Sequence, residues 1–142
     1  MSAHAGPVTR PPDLVSLADA VGERSIDVDR ASRFLAGPGS VAVGGHLDGR
    51  PAGYLIAYLV TRIDGEVMLV VYDVSVAAPL RRRGVGTAMV EEVLRIAGTA
   101  GATKAWVLTD HGNEPARAMY RATGAIASDR DDLVMWWRVG YP

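Results

Sequence analysis

Three consecutive arginines, Arg81, Arg82 and Arg83, precede two glycines, Gly84 and Gly86, in the stretch DVSVAAPLRRRGVGTAM. Guanidinium groups form charge-assisted hydrogen bonds with anions, and glycine lets a ligand approach the backbone closely. The first turn of a helix adds amide N–H groups that have no intrahelical acceptor. The spacing therefore predicts a strand, an anion-binding loop and a helix, although a solvated turn of arginines remains the alternative.

Two other phosphate-binding loops do not fit these residues. A dinucleotide fingerprint requires a third glycine where Met89 stands, and a nucleotide-triphosphate loop requires Gly-Lys-Ser/Thr, which is absent. The loop is thus predicted to bind a small phosphorylated ligand of another kind.

A second group of candidate residues follows in the stretch TDHGNEPARAMY, from Thr109 to Tyr120. A tyrosine can act as a general acid and a carboxylate as a general base, so Tyr120 and Asp110 could together move protons. Each also has a structural explanation: Tyr120 could pack a helix on the sheet, and Asp110 could cap the following helix. Glu114 could favour the helix dipole, and Asp73 could pair with an arginine of the loop.

Two sequence elements resemble the signature of the GNAT superfamily of acyl-coenzyme A N-acyltransferases: Val76…Arg81-x-x-Gly84-x-Gly86 and Asn113-x-x-Ala116-x-x-x-Tyr120-x-x-x-Gly124. Both occur in the order that the family shows, and the resemblance covers roughly residues 40–139. It implies a single domain of α/β (α+β type) fold, with a mixed, mostly antiparallel sheet flanked by helices. Two splayed parallel strands of that sheet would hold acetyl-CoA as co-substrate.

The resemblance also implies roles for individual residues. Backbone groups near Val74 and Val76 would hold the pantetheine arm, Asn113 and Ala116 would lie beside the coenzyme, and Tyr120 would protonate the leaving thiolate. The remaining coenzyme-binding residues belong to the pyrophosphate loop: Arg81, Arg82, Arg83, Gly84, Val85, Gly86 and Thr87. Because the chain has no cysteine, an acyl-cysteine intermediate is excluded, and the acetyl group is expected to pass directly to an amine.

A closer resemblance concerns the acceptor of the acetyl group. The stretches YDVSV and TDHGNEPARAMY look like those of the type I aminoglycoside 3-N-acetyltransferases, which carry a Tyr-Asp strand end and an Asp-x-Gly-x-Asp/Glu-Pro-Ala loop. This implies that Asp110 lies near the reactive amine and that Asp73 and Glu114 hold other ammonium groups. The alternatives are an acetyltransferase acting on a polyamine, an amino acid or a protein N-terminus, and a non-catalytic acyl-CoA-binding module.

Other polar and aromatic residues are weaker candidates. His111 is a second candidate base, ranked below Asp110, whereas His4 and His46 form no metal-ligand pattern and no metal site is predicted. The tryptophans are predicted to fill core or interface area: Trp106, Trp136 and Trp137.

Composition limits the classes of protein that this chain can be. Its 142 residues, of which 49% are hydrophobic, suit one compact domain, and the net charge of −1 disfavours general nucleic-acid binding. No basic leader with an apolar core and no run of about 18 apolar residues occurs. We therefore expect a cytoplasmic protein without membrane or nucleic-acid partners and with a small cationic amine as substrate, and a homodimer is one assembly that it could form.

Periodicity predicts the elements that must position these residues. Helices are predicted after Pro11-Pro12 up to about Val21, from Asp27 to about Leu35, from Gly84 to about Thr99 and from Glu114 to Thr123. Strands are predicted over 40–47, 53–62 and 66–76, with tight turns at Asp-Gly dipeptides between them. A buried strand over 104–109 and one or two closing strands over 126–139 complete the single domain, and residues 1–12 are predicted to be poorly ordered or a short strand.

Overall fold

A curled five-stranded sheet with helices on both faces forms the body of the protein in a computed structural model, which describes residues 2–140. The strands are β1 (Ala3–Pro7), β2 (Ser40–Leu47), β3 (Arg50–Thr61), β4 (Val67–Val76) and β5 (Ala102–Val107). The helices are α1 (Pro11–Val21), α2 (Val28–Leu35), α3 (Val85–Thr99) and α4 (Glu114–Ala122).

The strands lie in sequence order across the sheet, and the first four are antiparallel to their neighbours. The β2–β3 turn contains Asp48 and Gly49, both at positive φ, as the Asp-Gly dipeptide predicts. Only β5 runs parallel to its neighbour β4. This is possible because α3 carries the chain from the end of β4 back to the level at which β4 begins. The mixed, mostly antiparallel sheet is therefore confirmed, and the first strand is present as β1.

Two apolar cores cover the two faces of the sheet. One contains the buried face of α3, including Val85, Met89 and Val93. The other joins α1 and α2 to the opposite face through Leu14 and Leu17 among others.

The close approach of α3 to the sheet is possible because β2 carries Gly45. A Cβ atom there would lie 2.6 Å from Val85 Cγ1 and 2.8 Å from Met89 Sδ. The missing side chain lets the first turn of α3 rest directly on the sheet, and this contact fixes the position of the loop that precedes the helix.

Two predictions about the C-terminal third are wrong. The strand predicted over 104–109 is present as β5, but most of its residues are exposed because it is the edge of the sheet and no further strand within residues 2–140 covers it. The closing strands predicted over 126–139 are absent, and the large apolar side chains of this segment are exposed, including Trp136 and Trp137. The tryptophans therefore do not fill the core.

Candidate active site

The strands β4 and β5 separate towards their C-terminal ends. Their pairing begins at Val67 opposite Ala102 and ends at Val71 opposite Val107, whereas β4 continues to Val76. On its other side β4 remains paired with β3 as far as Gly53 opposite Val76. The backbone of residues 72–76 therefore has one edge that no strand of the sheet pairs with, which is where an extended ligand could add hydrogen bonds.

A β-bulge at Tyr72 redirects the side chains of this free edge. Ala57 pairs with Val71 but the next residue, Ile56, pairs with Asp73, so Tyr72 is the extra residue of β4. Bulges twist a strand and re-aim its side chains. Asp73 consequently lies at the separation of the two strands.

The Asp73 carboxylate is held by three neighbours. Ser75 Oγ donates a hydrogen bond to Oδ1 at 2.8 Å, and Tyr54 Oη donates one to Oδ2 at 3.4 Å. The Arg24 guanidinium lies 4.0 Å from Oδ2. This carboxylate is thus oriented before any substrate arrives, and Arg24 offsets part of its charge.

The loop between β4 and α3 exposes the start of the helix. Gly84, at φ +87°, is the residue before α3 and offers no side-chain cap. The first bond within the helix is donated by Ala88 N to Gly84 O at 3.0 Å, so the three preceding amides have no intrahelical acceptor. Arg82 also has positive φ, at 64°, which is uncommon outside glycine. The helix N-terminus and the exposed arginines place amide N–H groups and positive charge together, an arrangement that suits an anion.

The first arginine of the loop has a structural role. Arg81 Nε donates to Val76 O at 3.1 Å and an Nη atom donates to Glu23 at 3.2 Å. Arg81 therefore ties the loop to the end of β4, while Arg82 and Arg83 have exposed side chains.

Helix α4 supplies the opposite wall. Asn113 caps it, its side-chain oxygen accepting from Ala116 N at 3.3 Å. Tyr120, one turn after Ala116 in this helix, is partly buried. Burial raises the pKa of its phenol above the usual value, and the nearby Asp73 carboxylate raises this pKa further. The phenol is therefore protonated across the neutral range and can donate a proton.

These walls enclose a cleft of about 340 Å³, which we call the transfer cleft. Its lining residues are Tyr72, Asp73, Val74, Val107, Leu108, Thr109, Asp110, Asn113, Ala116, Tyr120 and Val134. The predicted proton donor, the predicted base and Asp73 thus share one cavity.

Two of the residues predicted to bind the amine or to act as the base lie outside this lining. Glu114 is exposed and pairs with Arg117 at 3.1 Å and with Arg121 at 3.4 Å, which neutralises its charge on the surface of α4. His111 is exposed, and its carbonyl accepts from Arg117 at 3.0 Å. The structure therefore brings Asp73 and Asp110 together but leaves Glu114 and His111 outside.

A second cavity adjoins the transfer cleft and was not predicted. This apolar pocket, of about 210 Å³, is lined by Leu14, Ala18, Arg24, Ile26, Arg30, Ala31, Phe34, Tyr54, Ile56, Tyr58, Tyr72 and Asp73. It shares the lining residues Tyr72 and Asp73 with the transfer cleft, so these two residues border both cavities.

The protein family follows from a comparison with the models of known families. The model of the acetyltransferase (GNAT) family matches residues 13–125, which is most of the chain. The chain belongs to the GNAT family of acetyltransferases. It is therefore an enzyme, and acetyltransferases of this family take the acetyl group from acetyl-CoA. A comparison with curated proteins finds no match.

Solved structures share the fold at low sequence identity. An aminoglycoside acetyltransferase, meta-AAC0020, from an uncultured soil metagenomic sample, in complex with sisomicin, is similar with a TM-score of 0.83 at 16% identity, covering 97% of each chain. A second aminoglycoside acetyltransferase, HMB0005, from an uncultured soil metagenomic sample gives a TM-score of 0.77 at 22% identity, covering 99% of this chain and 100% of the other. A ribosomal-protein-alanine N-acetyltransferase from Brucella melitensis biovar Abortus 2308 gives 0.72 at 20%, covering 96% and 100%.

None of the helices within residues 2–140 is long and apolar enough to cross a membrane. The same residues contain no group of three or more His, Asp or Glu side chains placed to hold a metal ion.

Proposed function

We propose that the transfer cleft binds acetyl-CoA between β4 and β5 and transfers its acetyl group to a primary amine. The free backbone edge near Val74 and Val76 suits the amide groups of a pantetheine arm, which pair as a strand would. The amides at Val85, Gly86 and Thr87, which have no intrahelical acceptor, suit the pyrophosphate. The fit of an extended arm followed by an anion to this edge and helix start supports acetyl-CoA as co-substrate.

The residues of the cleft can perform the proton transfers that this reaction requires. An ammonium group has no lone pair, so Asp110 would take its proton, directly or through water, to form the amine nucleophile. The new C–N bond forms at the thioester carbonyl as the C–S bond breaks, and Tyr120 would give its proton to the departing sulfur. Asp73, already oriented by Ser75 and Tyr54, would hold the cation in place.

The acceptor that we propose is an aminoglycoside, acetylated on one ring amine, with the 3-N position suspected. The observation that supports it is the charge of the transfer cleft, whose lining contains Asp73 and Asp110 and no lysine or arginine. A multiply charged amine would concentrate there. Acetylation converts one ammonium into a neutral amide, so this activity would contribute to antibiotic resistance.

Asp110→Asn tests the acceptor side of the cleft. We expect kcat/KM for gentamicin-like and kanamycin-like substrates to fall by roughly 10²–10⁴-fold, because the variant loses both a base and an anionic partner. Acetyl-CoA affinity should remain unchanged, since the anion loop is separate. Steady-state assays should also show kcat/KM of the unaltered enzyme falling by roughly tenfold between low and high ionic strength.

Glu114→Gln provides the matched control, because Glu114 is an acid of the same segment whose charge is already paired outside the cleft. Its kcat/KM should change by about twofold or less. Full activity in the Asp110→Asn enzyme, or an equal loss in both variants, would contradict the role of Asp110.

A second class of acceptor is favoured by the apolar pocket. Its lining combines aromatic and aliphatic side chains with two arginines, Arg24 and Arg30. It therefore suits an amine that also carries an apolar group and a carboxylate, as an amino acid does. An apolar peptide N-terminus would use the same lining.

Arg24→Gln separates the two classes of acceptor. If the acceptor is polycationic, removing this like charge beside Asp73 should lower KM by roughly two- to fivefold. If the acceptor carries a carboxylate, KM should instead rise by roughly tenfold or more, because a hydrogen bond to a charged group is lost. Initial rates with aminoglycosides, amino acids, peptides and polyamines show directly whether the KM of Arg24→Gln rises or falls.

A further inference from the structure

Tyr72 is an exposed aromatic residue beside the separation of β4 and β5. The residue is 71% exposed, although its strand β4 lies between two other strands of the sheet. It borders both the transfer cleft and the apolar pocket. A single exposed aromatic residue is ordinary, but this one lies where the proposed amine would bind, and its ring is therefore accessible to that ligand.

The β-bulge in β4 explains the position of this ring. Consecutive residues of a regular strand point to opposite faces of the sheet. Tyr72 is the extra residue of the bulge and has no partner on β3, so the alternation is interrupted there. Both Tyr72 and Asp73 consequently line the apolar pocket. The bulge thus brings an aromatic ring and a carboxylate to the same cavity.

Two further aromatic rings support the ring of Tyr72. The Tyr58 and Tyr72 rings form a T-shaped pair, with centroids 5.9 Å apart and planes at 70°. Phe34 of α2 forms a second T-shaped pair with Tyr58, at 5.8 Å and 74°. Aromatic side chains prefer this arrangement. The Tyr72 ring is therefore oriented before a ligand binds, and its ordering costs little side-chain entropy on binding.

The charge around the Tyr72 ring favours a cationic ligand. The face of an aromatic ring carries negative electrostatic potential, which attracts ammonium groups. The neighbouring Asp73 carboxylate adds a negative charge, part of which is offset by the Arg24 guanidinium 4.0 Å away. Because Tyr72 and Asp73 are adjacent, one ligand can lie against the ring and place an ammonium group at the carboxylate.

We propose that Tyr72 is a specificity-determining residue, whose ring stacks against a saturated ring of the acceptor while Asp73 holds an ammonium group of that acceptor. This inference rests on the proposed function, and it narrows the acceptor to cyclic amines of the amino-sugar type. Tyr58 and Phe34 position Tyr72 through their rings, so the hydroxyl of Tyr58 is not required.

The shape of the acceptor determines how much it gains from this ring. An amino-sugar ring is rigid, so it presents one face to the phenol and loses few internal rotations on binding. A linear polyamine such as spermidine offers similar charge to Asp73, but several freely rotating bonds must be ordered before its chain lies against the ring. Asp73 therefore serves both kinds of amine, whereas Tyr72 favours the cyclic one.

Tyr72→Leu tests this role, because it removes the aromatic face and keeps an apolar side chain. Calorimetric titration of the enzyme saturated with coenzyme A measures binding of the acceptor without turnover. We expect the Kd of a kanamycin-like aminoglycoside to rise by roughly 5–30-fold, the range for loss of a cation–π contact. The Kd of spermidine should change by about twofold or less. Tyr72→Phe, the matched control, keeps the ring and should bind the aminoglycoside within about twofold of the unaltered enzyme.

The same titrations separate this inference from the proposed function. Unchanged aminoglycoside affinity in Tyr72→Leu, or an equal loss for spermidine, would overturn the role of Tyr72, while acetylation of aminoglycosides by the unaltered enzyme would still uphold the proposed function. Ring-dependent binding of an aminoglycoside that is never acetylated would contradict acetyl transfer and support the role of Tyr72.

Two further outcomes would also overturn the role of Tyr72. The first is an equal loss of coenzyme A affinity in Tyr72→Leu, which would indicate general damage to the fold. The second is the absence of aminoglycoside binding by the unaltered enzyme, which would contradict the proposed acceptor as well.

Discussion

Tyr120→Phe should lower kcat by roughly 10²–10⁴-fold while the KM of both substrates changes little. Tyr120 lies in the transfer cleft with Asp73, and burial raises the pKa of its phenol. Removal of a general acid costs rate of this order because the thiolate then leaves without a proton. Phenylalanine preserves the ring and its packing against the apolar core on the α3 face of the sheet. The loss should therefore appear in turnover and not in binding.

The pH dependence provides a second readout. Because the phenol pKa is raised, the protonated form that donates is retained throughout the neutral range, and rate loss from deprotonation should begin only at a more alkaline pH than for an ordinary tyrosine. Tyr120→Phe should abolish that alkaline loss. Tyr58→Phe, which removes the hydroxyl of an aromatic residue in the apolar pocket outside the transfer cleft, is the matched control and should leave kcat within about twofold. An unchanged kcat in Tyr120→Phe would make Tyr120 a packing residue.

Gly86→Val should weaken acetyl-CoA binding by roughly 100-fold or more. A Cβ atom at Gly86 would lie 3.5 Å from Met119 Cε and 4.0 Å from Val76 Cγ2, so a branched side chain would extend into the space between α3, α4 and the end of β4. Losing two hydrogen bonds to a charged group costs about 3–6 kcal/mol, which corresponds to at least this factor. Calorimetric titration with acetyl-CoA measures the change.

Two substitutions on the same helix control for general damage. Gly86→Ala places one atom at ordinary contact distances and should retain most of the affinity. Gly98→Val adds the same side chain at a position of α3 with no atom within 4 Å, far from the loop, and should bind acetyl-CoA normally. Normal affinity in a folded Gly86→Val enzyme would remove the loop from the coenzyme site.

Local signals in the sequence predict most of the sheet and all four helices. The Asp48-Gly49 turn sets the β2–β3 hairpin because both residues adopt positive φ. Asp27 caps α2 by accepting from Arg30 N at 2.7 Å, as an N-terminal aspartate predicts. Turns and helix caps are formed by residues a few positions apart in the sequence. Short sequence patterns therefore predict where these elements begin and end.

Contacts distant in sequence could not be predicted in the same way. Continuing the register that sets Thr61 opposite Val67 would pair Tyr54 with Val74, but the bulge at Tyr72 moves its partner to Ser75 and brings its hydroxyl to Asp73. Arg24 reaches the same carboxylate from the segment between α1 and α2. No periodicity encodes either contact, so the apolar pocket was missed although each of its walls was predicted.

The C-terminal error has a different physical origin. The apolar run Leu133–Trp137 contains the aromatic and β-branched types that favour strands, but a strand also needs a partner edge. Within one chain that segment pairs with nothing. The motif residues Asn113, Ala116 and Tyr120, in contrast, line one cleft because their spacing follows a single helix.

Acetyl transfer itself provides the most direct test of this account. Purified protein would be incubated with isotopically labelled acetyl-CoA and a panel of aminoglycosides, amino acids, peptides and polyamines, with product mass and released thiol measured together. We expect a singly N-acetylated amine formed in a one-to-one ratio with free coenzyme A, with aminoglycosides as the preferred acceptors. Tight binding of acetyl-CoA without acetylation of any amine in the panel would contradict it.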